Sequence, residues 1–127
     1  MTENELATII VDAAFKVHTR LGPGLFESVY ESVLEYELAK RRLHVVRQVA
    51  MPVVYDSLKI DDAFRADMIV GGKVIIELKS LEKLAAVHSK QLNTYLRLSG
   101  LKLGLLINFG EVLIKDGITR IANHLED

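Results

Sequence analysis

The chain has 127 residues, with 16 Lys and Arg against 17 Asp and Glu, giving a formal charge of −1 with neutral histidines. Half of it is apolar and 26% is charged, the balance of a single-core globular domain, and the near-zero charge excludes a protein that coats nucleic acid through overall charge. There is no Cys, which excludes disulfides, thiolate-ligated zinc, iron–sulfur clusters and cysteine nucleophiles and fits a reducing cytoplasm.

The N-terminus carries Glu3, Glu5 and Asp12 without a basic segment, so it does not read as a secretory signal. No apolar run approaches the roughly 20 residues that a membrane span requires. Leu6, Ile9, Ile10, Ala13, Val17 and Leu21 recur at helical spacing over residues 3–20, and Thr2 with Glu5 offers a capping box. Gly22-Pro23-Gly24 ends that helix. A second helix is predicted from Leu25 to about Arg42, with one apolar stripe of Leu25, Val29, Val33 and Tyr36 and another of Phe26, Tyr30, Leu34 and Leu38. Two stripes predict a helix packed on two sides.

From Val45 the chain turns β-branched. Strands are predicted at Val45–Tyr55, with Pro52 marking an edge or bulge, at Leu58–Ile60 after an Asp56-Ser57 turn, and at Ala63–Val70 and Lys73–Leu78 around Gly71-Gly72. Leu81–Ser99 reads as a helix stopped by Gly100, and the apolar run Leu101–Phe109 as a strand buried on both faces and parallel to its predecessor. Val112–Lys115 and Ile118–Ile121 flank Asp116-Gly117 as a further hairpin. The order α-α-β-β-β-α-β-β-β is that of an α/β domain spanning residues 1–127.

Several polar residues fall where a core belongs. Asp67 interrupts one strand, and Glu77 and Lys79, two apart on the next, share a face. Two carboxylates and a lysine on neighbouring strands suit a hard divalent cation, and equally suit strand ends that face water. Glu27 opens the second helix, where the helix dipole favours an acid regardless of function. Gln91 and Tyr95, with His88, share one helix face that serves either packing or a site. The four histidines lack paired ligand spacing, no Walker frame or nucleophile elbow is present, and Lys40-Arg41-Arg42 with Arg47 reads as a solvated basic helix end.

Gly24-x-x-Glu27-x-x-Tyr30 is followed by Arg65-Ala66-Asp67, Ile76-Glu77-Leu78-Lys79, Gln91-x3-Tyr95 and Gly104-Leu105-Leu106-Ile107-Asn108-Phe109. In joint order and spacing, from about Ile9 to Asn123, these segments resemble the GxxExxY family of the PD-(D/E)XK nuclease superfamily. The resemblance implies a restriction-endonuclease-like core, a mixed β-sheet flanked by helices, with two N-terminal helices. It carries the superfamily's motif acid onto Asp67 and its E-x-K onto Glu77 and Lys79, while Glu27 matches the acid of the preceding helix. Gln91 and Tyr95 resemble the QxxxY motif of RecB-type nucleases, and Ala66 stands where a proline often precedes the acid. The implied chemistry is hydrolysis of nucleic-acid phosphodiester bonds, of DNA first. Mg²⁺ or Mn²⁺ would be held by Asp67, Glu77 and the Leu78 carbonyl, with Glu27 completing or orienting the shell. Lys79 would be a fixed cation beside the water or phosphate, and Gln91 and Tyr95 would position the nucleic-acid backbone or a water. The alternatives are a non-catalytic nucleic-acid-binding or regulatory module on the same fold, and a subunit whose apolar surfaces serve a homo-oligomer.

The connection at Gly71-Gly72 decides whether the two acids can meet. A two-residue hairpin would set Asp67 opposite Ile76 and send the carboxylates to opposite faces. One extra residue, with a glycine at positive φ, sets Asp67 opposite Glu77. It also predicts Ile69 and Ile75 on the site's face, and Ala66, Met68, Val74, Ile76 and Leu78 together on the other.

Overall fold

A computed structural model describes residues 1–126. In chain order the elements are α1 (Glu3–Leu21), α2 (Glu27–Lys40), β1 (Val45–Tyr55), β2 (Leu58–Val70), β3 (Val74–Lys79), α3 (Ala86–Ser99), β4 (Leu103–Asn108), a 3₁₀ turn (Ile114–Gly117) and β5 (Ile118–Ala122). The five strands lie side by side in sequence order. Only β3 and β4 run parallel, joined by the α3 crossover, so the sheet is mixed and flanked by three helices as expected. Among the described residues no helix is long and apolar enough to cross a membrane.

Thr2 caps α1 reciprocally with Glu5, at 3.1 and 3.0 Å. Leu6, Ile10, Ala13, Ala14 and Val17 of α1 and Tyr30, Leu34 and Leu38 of α2 pack on Met68, Val70, Val74, Ile76, Leu78 and the odd-numbered residues of β4. Leu92 and Leu96 of α3 cover Ala66, Ile75 and Leu106 on the opposite face. β4 is buried along its whole length, the environment that a continuous apolar run requires.

Four predicted features differ. In α2 only Tyr30, Leu34 and Leu38 of the second stripe are buried and Val33 of the first is partly buried, while Leu25, Phe26, Val29 and Tyr36 are exposed, because α2 packs on α1 and one sheet face and leaves its outer side to solvent. β2 runs unbroken through the predicted gap at residues 61–62. α3 begins at Ala86 rather than Leu81, because the Asn108 side chain holds Leu81 at both its N–H (2.9 Å) and its carbonyl (2.9 Å) in a non-helical turn. The Asp116-Gly117 hairpin is replaced by the 3₁₀ turn, since Ile114 is drawn into the core beneath α1 and β5 pairs with β4 instead.

Candidate functional site

The connection after β2 carries the extra residue. Val70 faces Val74, Ile69 faces Ile75 and Met68 faces Ile76, with Gly71 and Gly72 both at positive φ (61° and 67°). Continued by one step, this register sets Asp67 opposite Glu77, but the ladder ends there. The pairing of β2 with β1 also skips this position: Arg47 faces Met68 and Val49 faces Ala66, while Gln48 between them has φ 51°. β2 therefore releases both neighbouring strands at Asp67. The alternation of faces slips with it. Val45 and Met68 belong to the α1–α2 side, whereas Val49 and Ala66 belong to the α3 side. This corrects the expected placing of Ala66 beside Met68.

The released backbone is satisfied by the acids. The Lys79 carbonyl accepts from Phe109 N–H on the β4 side, so Leu78, one residue earlier, presents its N–H to the β2 side. There it donates to Asp67 Oδ2 at 2.8 Å. The Asp67 N–H donates in turn to Glu77 Oε1 at 3.3 Å. Glu77 is only 8% exposed. Burial first, then the negative charge of Asp67 and a hydrogen bond to its carboxyl, push Glu77 up to about 9; the Asp67 N–H and Lys79 pull weakly the other way. At neutral pH Glu77 therefore holds a proton. Tyr95 on α3 is raised as well, chiefly by burial and then by the charges of Glu77 and Asp67. Its ring stacks on Phe64 with centroids 4.3 Å apart.

Lys79 is half-buried on the face of Glu77. Gln91 is exposed one turn before Tyr95 and makes no side-chain hydrogen bond among the described residues. His88 accepts the Ala85 N–H at 3.0 Å and so caps α3. Glu27 is exposed at the start of α2. The segment before it is held by Tyr30, whose hydroxyl donates to the Gly22 carbonyl (2.6 Å) and accepts from Leu25 N–H (3.1 Å) while its ring stacks on Phe109. Ser80 donates to the Leu25 carbonyl at 2.5 Å, which fastens this segment to the end of β3 just beyond Lys79. Among the described residues no three Asp, Glu or His side chains converge as a metal cluster, so the acids brought together are Asp67 and Glu77, with Glu27 outside the pair.

Residues given no role from the sequence also shape this part of the sheet. Asn108, fully buried, also accepts the Gly110 N–H at 3.1 Å, and a Cβ on Gly110 would overlap the Leu81 carbonyl. A cleft of about 620 Å³ opens beside this turn, lined by Leu81, Glu82, Lys83 and Glu111. Glu31 and Gln48 meet on the other side of the break. Arg41 and Arg47, read as a solvated basic end, instead hold the buried carboxylates of Glu37 (2.7 Å) and Glu31 (2.7 Å). No sequence signal separates these pairs from ordinary surface charge.

Residues 4–121 match the PD-(D/E)XK nuclease superfamily. With its mixed sheet, its crossover helix and its paired acids at the end of β2 and β3, the chain belongs to that superfamily. No curated protein and no solved structure is a significant match. PD-(D/E)XK nucleases generally use divalent metals. The donor set here fits such an ion: two carboxyl groups in contact, one of them kept protonated by burial and its neighbour's charge, are a pair that a hard cation would relieve.

Proposed function

We propose that the chain hydrolyses phosphodiester bonds of nucleic acid, DNA in the first instance, as a Mg²⁺-dependent nuclease of the GxxExxY type that also accepts Mn²⁺. The observation that carries this reading is the meeting of Asp67 and Glu77 at the break in the sheet. Asp67 and Glu77 would hold the cation. The Leu78 carbonyl supports them, since it points to the side of β3 that β2 has left. When bound, the ion would lower the pKa of a water and neutralise charge on the phosphate. Glu77 would give up its proton on holding the ion. Lys79, on the same face, presents its ammonium to the phosphate oxygens, where charge builds as the bond to the leaving oxygen breaks. Tyr95 and Gln91, on α3, would orient the strand or a water, and Glu27, at the start of α2, would complete or orient the shell.

The second reading is a non-catalytic nucleic-acid-binding or regulatory module. The observation in its favour is that, among the described residues, no third acid joins Asp67 and Glu77. The experiment is incubation of the chain with single- and double-stranded DNA and RNA in Mg²⁺ and in Mn²⁺, beside Asp67→Asn. Metal-dependent cleavage by the wild type alone supports the nuclease. Retained binding without cleavage supports the module.

A further inference from the structure

Neighbouring residues of a strand point to opposite faces, yet Arg47 and Gln48 grip the same carboxylate. Arg47 donates to Glu31 Oε2 from Nε (3.0 Å) and Nη2 (2.7 Å), and Gln48 Nε2 donates to Glu31 Oε1 at 2.7 Å. Glu31, on α2, is 7% exposed, so both its oxygens are used within the protein. The two side chains reach one side only because Gln48 takes φ 51°, a left-handed conformation that a residue with a Cβ avoids without compensation. The same conformation swings the Gln48 carbonyl out of the ladder, where Arg65 Nη1 donates to it at 3.2 Å. It lies in the gap between the Arg47–Met68 and Val49–Ala66 pairs, directly across from Asp67.

We infer that Gln48, anchored by Glu31, is a positioning residue for the Asp67–Glu77 pair. Its backbone breaks the β1–β2 ladder at the one point where β2 must rotate for the Asp67 carboxylate to reach Leu78 N–H. The side-chain amide, held on a buried acid of the neighbouring α2, keeps that conformation fixed. Were Gln48 extended, β1 would pair with β2 through Asp67, Asp67 would lie flat in the sheet, and the Leu78 N–H would be left without its carboxylate acceptor. The bearing of this device on metal uptake rests on the proposed function; its bearing on the backbone does not.

The test compares full-length Gln48→Gly, Gln48→Ala and Gln48→Val with the wild type. Glycine accepts positive φ, whereas alanine resists it and β-branched valine resists it further. Exchange of the Leu78 amide proton, read by ¹⁵N–¹H spectroscopy, reports the bond to Asp67, with the Ile107 amide in β4 as a control for the intact sheet. Calorimetric titration with Mn²⁺ reports the pair. Leu78 protection and Mn²⁺ affinity should survive in Gln48→Gly. Leu78 exchange should quicken by about tenfold in Gln48→Ala and by more in Gln48→Val, with Mn²⁺ affinity falling in parallel. Unchanged Leu78 exchange in both Ala and Val variants overturns the inference, as does a Gly variant as impaired as the Val one. If Gln48→Val does not fold, alanine against glycine makes the same comparison. If the wild type takes up no Mn²⁺, the proposed function falls, and the Leu78 amide still decides this inference.

Discussion

Leu78 donates its backbone N–H to the Asp67 carboxylate at 2.8 Å, at the position where a continued ladder would bond it to Ala66. A carboxylate thus takes the place of a rung of the sheet. The bond fixes the carboxylate against the rigid centre of the fold, because β3 is paired to β4 along its full length. Charge-assisted bonds of this kind are stronger than neutral ones, so the acid is held without a dedicated lysine or arginine partner.

Cation binding should relieve the strain between the acids and stabilise the fold. A ligand that binds only the native state at about one hundred times its Kd adds about 2.7 kcal/mol. Mg²⁺ or Mn²⁺ is expected to raise the melting temperature, and Asp67→Asn to abolish the rise while leaving the metal-free protein folded. Scanning calorimetry with and without each metal checks this.

Metal-free stability should fall with rising pH through one group. Glu77 is raised from 4.5 to about 9, so between those values the folded chain keeps a proton that the unfolded chain has lost. The stabilising effect is full below the lower value and is lost as pH rises to the upper one, with a slope of at most about 1.4 kcal/mol per pH unit. Urea titrations across this range should show the slope in the wild type and its loss in Glu77→Gln. Metal uptake, which must displace the same proton, should tighten over the same range.

Asn108→Ala should be costly although Asn108 touches neither acid. It leaves the N–H and carbonyl of Leu81 and the N–H of Gly110 without their partner in a part-buried turn. Unfolding in urea is expected to show a loss of about 2 kcal/mol or more. Gly110→Ala should match or exceed it, since its Cβ meets the Leu81 carbonyl.

Much of this site was legible in the chain because strand periodicity and a double glycine are local signals. Gly71-Gly72 allowed a one-residue offset, and the offset alone sets Asp67 toward Glu77. Local pattern did not reveal where β2 lets go. That depends on φ at Gln48, a residue with no turn propensity, and on Glu31, whose burial follows from α2 packing over β1. Ala66 was misplaced for the same reason: alternation was carried through a point where the strand rotates. The apolar spacing of Leu81 continues that of α3 and so predicts a helix there, whereas a side chain 27 residues later holds it out. The exposed stripe of Leu25, Val29 and Tyr36 shows the converse limit, since periodicity marks a face without showing that anything covers it.

Lys79 separates chemistry from binding. An ammonium is not a ligand for a hard cation, so Lys79→Ala should leave Mn²⁺ uptake in calorimetry largely intact while Glu77→Gln weakens it. The most direct measurement is the rate of DNA cleavage in Mg²⁺ or Mn²⁺ by wild type and Lys79→Ala side by side. The account predicts metal-dependent cleavage by the wild type, reduced by at least about 100-fold in Lys79→Ala with metal still bound. A wild-type chain that binds metal yet cleaves no nucleic acid, or a Lys79→Ala variant as fast as the wild type, would contradict it.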